Sequence, residues 1–325
     1  MESPMLSVAI EEFLQWRARH YRPNTVKNSE TALRLLMQAL GDLPVDEINR
    51  DDGERIIAYL HERQQASTVN QNRTVLQAFF KWLVEEGYVP LTFNPFRNIR
   101  PDRVPQKDYP RLTVDEFEPF LDSATSPRDR IFCALGLYLF LRGSEAASLR
   151  VRDLRLGEGT LTVTVHKTND IDVMPLNTEL DRELRRWLTH MTSELGPLDP
   201  DWYLVPAFTA SRFTQKLAPT RPISKPEAPI KRTLEAYGWE DTYWAGAHLL
   251  RRSGARCLFD ELCDQAVDAS LRIVSSQLHH KNVAMTERYL GITADRARRD
   301  RLLKGANMFT RKSMDNVITL RGVAQ

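Results

Sequence analysis

Three prolines, Pro101, Pro105 and Pro110, fall within residues 98–111, with Arg100, Arg103, Lys107 and Arg111 among them. No apolar residue recurs there at a helix or strand period. Proline fixes φ and removes a backbone donor, so this stretch reads as an extended basic linker. The chain must then fold as two blocks, each with its own core, and 325 residues are enough for both.

The first block, residues 6–98, carries only helical periodicity. Val8, Ile10, Phe13 and Leu14 form one apolar stripe. A second helix opens near Asn24-Thr25, after Pro23, and runs through Leu33, Leu36, Met37 and Leu40 to Gly41. A third follows Asn49 and buries Ile56, Ile57 and Leu60. A fourth starts near Ser67 and carries Val69, Leu76, Phe79, Phe80 and Leu83 to Gly87. Thr25 and Ser67 are the expected caps, because a hydroxyl can accept an orphan N–H of the first turn. Asn94-Pro95 closes the block.

The second block is mixed. Thr113-Val114-Asp115-Glu116 has the spacing of a capping box ahead of Phe117 and Leu121. Ile131 to Leu141 reads as a buried helix. Thr160 to Val165 alternates like a strand, Ile171 to Leu176 is its return, and His166 to Asp170 is the turn between them. A helix is expected from Thr178 to Met191, an irregular segment over 194–224, and another helix capped by Ser224-Lys225-Pro226-Glu227 and ending near Gly238. Residues 246–304 read as mostly helical. The fold class is therefore mainly α with a small antiparallel β-sheet: a helical first domain and an α+β second one.

Composition excludes several classes. Apolar residues make up 42% of the chain and mean hydropathy is −0.43. No apolar run approaches the roughly 20 residues of a membrane span. Met1-Glu2-Ser3-Pro4 has no basic segment ahead of an apolar core, so no secretory signal is read. Cys133, Cys257 and Cys263 have no metal-ligand spacing and are an odd, sparse set, as expected in a reducing compartment. The net charge is only +2, so distribution matters more than the sum. After Tyr289 come Arg296, Arg298, Arg299, Arg301, Lys304, Arg311, Lys312 and Arg321, opposed by Asp295, Asp300 and Asp315. A solvated helix face explains such a run as readily as nucleic acid does.

The residues able to do chemistry are scattered. Arg142 ends the apolar run Leu135 to Leu141, with Ser144 and Glu145 next. A charge in that setting needs a partner. Either Glu145 or another acid pairs it, or it meets a phosphate at a helix end. His248 and Arg251 are three apart and share a helix face; Arg252 and Arg256 beside them read as surface residues. His279-His280-Lys281-Asn282 has the composition of a polar turn. Tyr289, nine residues after His280, is by itself most simply a half-buried packing residue. Two arginines, histidines and a late tyrosine together suit phosphodiester chemistry with a protein nucleophile, since arginine neutralises phosphate, histidine moves protons and tyrosine can hold a phosphoryl group.

The ordered set resembles the tyrosine recombinases of the phage integrase family, which include Xer-type resolvases. Leu141-Arg142-Gly143-Ser144-Glu145 resembles the first-arginine box. Val165-His166-Lys167-Thr168 followed by Val173-Met174-Pro175-Leu176 resembles the lysine-bearing hairpin. His248-Leu249-Leu250-Arg251 matches the His-x-x-Arg box, and Leu278 to Tyr289 the His/Tyr box. The resemblance implies a SAM-like core-DNA-binding domain over 1–98, a linker over 99–111, a catalytic domain over 112–304 and a C-terminal tail over 305–325. It implies that Tyr289 attacks the scissile phosphate to give a 3′-phosphotyrosine and a free 5′-hydroxyl. Arg142, Arg251 and His280 would hold the phosphate, Lys167 would protonate the leaving oxygen, and His248 would assist proton transfer at the tyrosine. Neither ATP, a metal ion nor any other cofactor is required by that chemistry. The chain departs from the family pattern in three places. His279 stands where glycine usually precedes the histidine, Arg252 where a second histidine is common, and Asp170 and Asp172 where hairpin residues are often basic.

The implied partner is double-stranded DNA carrying core sites, bound by a homo-tetramer, with a directionality factor as a further partner and no membrane; the expected setting is the bacterial cytoplasm. Lys27, Arg34, Asn70, Arg73 and Lys81 are the candidate DNA contacts of the first domain, with Arg100 and Arg103 on the linker. The chain starts almost directly with this domain, so it is expected to lack the extra N-terminal domain with which larger phage integrases bind arm sites. A basic helix is expected over 294–304, a short apolar strand or tail over Val317 to Leu320, and Leu302, Leu303, Met308 and Phe309 as anchors of a segment passed to the next subunit. Competing readings are type IB topoisomerase-like nicking and rejoining, and a silent DNA-binding protein on the same fold.

Overall fold

The computed structural model describes residues 3–90, 93–105, 109–165, 170–209, 215–239, 246–262 and 267–292. Lys167, Cys263, the expected basic helix over 294–304 and the tail over 305–325 lie outside the described residues. The chain forms two compact units, Met1–Lys107 and Asp108–Gln325.

The first unit is helical: α1 (Leu6–His20), α2 (Pro23–Leu40), α3 (Arg50–His61) and α4 (Ala66–Glu85). Leu6, Phe13, Leu33, Leu36, Ile56, Leu76, Phe79 and Phe80 meet in one core, and Phe13 sits edge-on to Phe79 with ring centroids 5.2 Å apart. Each such side chain contributes about 1.5–3 kcal/mol on burial. Two expected caps are corrected. The N-cap residues of α2 and α4 are Arg22 and Gln65, and neither makes a side-chain capping bond. Pro23 starts α2 instead, since a first-turn residue loses nothing by lacking an N–H. Asn49 does cap α3, in a reciprocal box with Asp52.

Residues 99–102, expected as the start of an extended linker, are tied to α4, as is Phe96 before them. Gln77 donates to the Phe96 carbonyl at 2.9 Å, Arg73 to the Ile99 carbonyl at 2.9 Å, and Asn70 exchanges two bonds with the Asp102 backbone at 2.9 and 3.0 Å.

The second unit contains α5 (Phe117–Asp122), α6 (Pro127–Tyr138), α7 (Gly143–Ser148), β1 (Leu154–Arg155), β2 (Thr160–Val165), β3 (Asp170–Pro175), α8 (Thr178–Leu195), β4 (Pro206–Phe208), β5 (Leu217–Pro222), α9 (Glu227–Tyr237), α10 (Ala247–Leu262), α11 (Val267–Gln277) and α12 (Val283–Leu290). β1, β2 and β3 form an antiparallel sheet in that order, with Val163 opposite Asp172 and Val165 opposite Asp170. The 194–224 segment, expected to be irregular, contains the antiparallel pair β4–β5. Ser224 does not cap α9; Pro226 precedes it without a side-chain bond. Among the described residues no helix is long and apolar enough to cross a membrane.

α6 is buried on every side and packs against α10 and α8 in the main core. A smaller core of Phe140, Ala255, Phe259, Leu271, Val274, Leu278 and Leu290 holds α10, α11 and α12 together. Gly254 lets α10 approach α6. A Cβ there would run into the Leu137 carbonyl oxygen and lie 2.6 Å from Phe140 Cε1. Overpacking against backbone cannot be relieved by a rotamer change. Gly254→Ala should therefore cost about 2 kcal/mol or more, read as a fall in Tm of roughly 4–8 °C or more for a unit of this size. An unchanged melting curve would contradict the close packing.

Candidate active site

Arg142 was expected at the end of an apolar helix. In the structure α6 stops at Tyr138, the chain turns through Phe140 at φ +57°, and Arg142 is the extended N-cap residue of α7. Glu145, fully buried, fixes it twice: Oε2 accepts from the Arg142 backbone N–H at 2.8 Å and Oε1 from a guanidinium nitrogen at 2.7 Å. The ion-pair reading is thus correct, and it does not compete with phosphate binding. A guanidinium has five donors, and a quarter of the Arg142 side chain remains exposed.

His248 and Arg251 share one face near the start of α10. Arg251 is 1% exposed. One of its terminal nitrogens donates to the Phe140 carbonyl and the other to the Leu278 carbonyl, and Glu145 Oε2 is 3.9 Å away. Arg251 therefore pins the turn after α6 and the end of α11 to α10. Burial first, and Arg142 second, push its pKa down to about 10, which still leaves it charged at neutral pH. Arg252 and Arg256, expected on the surface, are both buried. Arg252 lies over the rings of Tyr109 and Tyr289, 4.3 and 5.4 Å from their centroids. Arg256 bonds Asp260 and donates to the Leu290 carbonyl at 3.2 Å, which braces the end of α12.

The last piece is the turn from α11 into α12. The His279 N–H donates to the Ser276 carbonyl and the His280 N–H to the Ser275 carbonyl, closing α11. Asn282 caps α12 through the Met285 N–H at 2.9 Å. Tyr289, on α12, packs against the small core. Its ring is edge-on to His280 with centroids 5.4 Å apart, and its hydroxyl is 3.3 Å from the backbone carbonyl of His248.

Thr286, which sequence reasoning missed, is fully buried and its hydroxyl is 3.0 Å from His280 Nδ1. Donation from that hydroxyl to Nδ1 puts the ring proton on Nε2, ready for an anion. The available signal was a hydroxyl one helical turn before the tyrosine. Thr286→Val should lower DNA cleavage roughly tenfold, the worth of one good hydrogen bond, and Thr286→Ser should retain activity. Equal rates for both variants would remove Thr286 from the site.

Charge organises the cleft. Burial raises the Tyr289 pKa, and Arg251, Arg252 and Arg142 pull it back. His248 is depressed below its ordinary 6.5, first by burial in the crowded cleft and then by the same three arginines. At neutral pH the tyrosine thus keeps its proton and the His248 imidazole is neutral, the protonation state that a proton acceptor needs. As pH falls through the depressed pKa the imidazole gains a proton and can no longer accept one. Single-turnover cleavage should then be flat at neutral pH and fall only at a pH below the ordinary 6.5 of a free imidazole. A rate unchanged down to pH 5 would exclude His248 from proton transfer.

Arg142, His248, Arg251, His280 and Tyr289 are therefore together in one unit; Lys167 is outside the described residues. Among the described residues no three His, Cys, Asp or Glu side chains group as metal ligands. On the first unit Lys27, Arg34, Lys81, Arg100 and Arg103 are exposed, with Lys81 3.4 Å from Glu85. Asn70 and Arg73, also expected to contact DNA, are half-buried and each commits a donor to residues 99–102, Asn70 to the Asp102 carbonyl and Arg73 to the Ile99 carbonyl.

Comparison with known proteins shows the family and the fold. The model of the Phage integrase family matches residues 110–296, and that of the phage integrase N-terminal SAM-like domain matches residues 10–87. The chain is 26% identical over 312 residues to tyrosine recombinase XerD of Ralstonia nicotianae, covering 91% of this chain and 93% of the relative. It is 25% identical over 280 residues to tyrosine recombinase XerA of Thermococcus kodakarensis, covering 85% and 88%. A lambda integrase tetramer bound to a Holliday junction has a similar fold, with a TM-score of 0.68 at 17% identity, over 88% of this chain and 77% of that one.

Proposed function

The chain belongs to the Phage integrase family, and we propose that its cleft carries out site-specific DNA recombination with Tyr289 as the nucleophile. It is a tyrosine recombinase. The observation that carries the site assignment is the convergence of Arg142, His248, Arg251 and His280 on one tyrosine, with two of the arginines held by the buried Glu145.

The Tyr289 oxygen attacks the scissile phosphorus in line with the 5′-oxygen. A P–O bond to tyrosine forms, the P–O5′ bond breaks, and the tyrosine proton passes toward His248. Negative charge grows on the non-bridging oxygens, where Arg142, Arg251 and the Nε2–H of His280 donate to it. Lys167 is assigned by its place in the hairpin motif to protonate the leaving 5′-oxygen. The phosphotyrosine keeps the energy of the ester, so a second 5′-hydroxyl can reverse the step on a new strand.

The proposed substrate is duplex DNA carrying short core sites. The proposed assembly is four copies on two sites, as in the tetramer of the lambda integrase neighbour, with the segment over 305–325 passed between subunits. Lys27, Arg34, Lys81, Arg100 and Arg103 are the proposed phosphate contacts of the first unit. Each contact removed should lower the salt dependence of binding by roughly one ion.

The test uses a core site selected from random duplexes by binding. A nicked suicide substrate of that site should trap the protein as a covalent adduct on a denaturing gel. A plasmid with two such sites should recombine, whereas relaxation alone would indicate a nicking and rejoining enzyme. No adduct on a bound site would overturn the reading.

A further inference from the structure

Two departures from the family pattern meet in space. His279, where glycine is usual, has φ +52°, in the left-handed region that glycine adopts without strain. Its Nε2 lies 2.8 Å from Oδ2 of Asp172, one of the acids in a hairpin that is often basic. Its Nδ1 is buried with no hydrogen-bond partner among the described residues. The proton on Nε2 is thus the donor, and the ring is anchored at its Asp172 end.

Each end of the contact belongs to a different part of the site. Asp172 is on β3, opposite Val163 of β2, and fixes the hairpin. His279 directly precedes His280 and follows Leu278, whose carbonyl accepts from Arg251. The Asp172 side chain is 45% exposed, and even a fully charged pair this open to solvent adds little to stability. A left-handed histidine is therefore not accounted for by stability. What the contact supplies is placement.

We propose that Asp172 and His279 are a positioning pair that latches the β2–β3 hairpin to the turn presenting His280 and to the Leu278 acceptor of Arg251. The two substitutions act as one device: a glycine at 279 would remove the strain and also remove the latch. Neither side chain touches the reacting atoms. The inference rests on the recombinase reading of the same cleft.

The experiment measures single-turnover cleavage of the nicked suicide substrate, core-site affinity and Tm for the wild type and four variants: His279→Gly, Asp172→Asn, the double His279→Gly with Asp172→Asn, and the exchange Asp172→His with His279→Asp. His279→Gly should keep or raise Tm, because the strain is gone, yet cleave roughly tenfold more slowly at unchanged affinity. Asp172→Asn should show a similar loss, and the double variant should be no slower than either single. The exchange, with an aspartate that tolerates the left-handed turn, should recover most of the rate. Wild-type cleavage by His279→Gly, or a double-variant loss equal to the product of the singles, would overturn the latch. If the wild type itself forms no adduct, the recombinase reading fails, and that outcome is distinct.

Discussion

Arg251→Met should lower strand cleavage by about 10³-fold and destabilise the catalytic unit at the same time. The two effects have separate causes. As a transition-state donor, Arg251 meets charge that appears on the phosphate only as the bond to Tyr289 forms; preorganised donors of this kind contribute about 10²–10³ each. As a structural residue, it supplies the donors for the Phe140 and Leu278 carbonyls. Methionine fills similar volume but leaves both carbonyls without that donor, at about 1–3 kcal/mol for each buried group. Arg251→Lys should do little better, since one ammonium cannot span two acceptors and a phosphate as a planar fork does. Denaturant unfolding separates the two losses. A variant that melts like wild type but cleaves poorly would mean that the carbonyl contacts carry no stability.

Tyr289→Phe should abolish the covalent adduct, with the cleavage rate down by on the order of 10⁴ or more, as expected when a nucleophile is removed. Binding of the core site should be unchanged. The lost hydroxyl meets the His248 carbonyl, at 3.3 Å, and a side-chain hydrogen bond of Arg251, whose two backbone carbonyl acceptors remain, and the ring keeps its edge-on contact with His280. Folding should accordingly survive. A surviving adduct would shift the nucleophile to another side chain. Lost binding would mean that the tyrosine is a packing residue of the small core.

The parts of this molecule that were legible in the sequence share a cause. Helices such as α2 and α8, and the β2–β3 pair, show their burial as a period, so Leu33, Leu36 and Leu40, or Leu161, Val163 and Val165, report their own face. The β4–β5 pair did not show, because Pro206 and Pro222 flank short strands and no alternation develops. Caps at Thr25 and Ser67 failed because propensity is only local, and Pro23 already fixes where α2 begins.

The site divides the same way. Residues proposed to touch the phosphate carry the motif and could be found by order. Residues that hold them had a weaker mark. Glu145 was visible as a partner of Arg142, but its second arginine, 106 positions away, was not. Thr286 looked like any hydroxyl on a helix. Arg252 and Arg256 read as surface charge because a sequence does not show that a tyrosine ring or a helix end will cover them. Nothing local revealed that residues 99–102 would fold back onto α4, where Asn70 and Arg73 hold their backbone.

In the proposed reaction DNA becomes joined through its 3′-phosphate to Tyr289. The most direct measurement is protease digestion of the wild-type adduct, followed by mass spectrometry of the nucleotide-bearing peptide. A single modified peptide containing Tyr289 is expected, with the mass of a 3′-phosphate ester and a free 5′-hydroxyl on the released strand. A modified serine, histidine or other tyrosine, or a 5′-phosphate linkage, would contradict it.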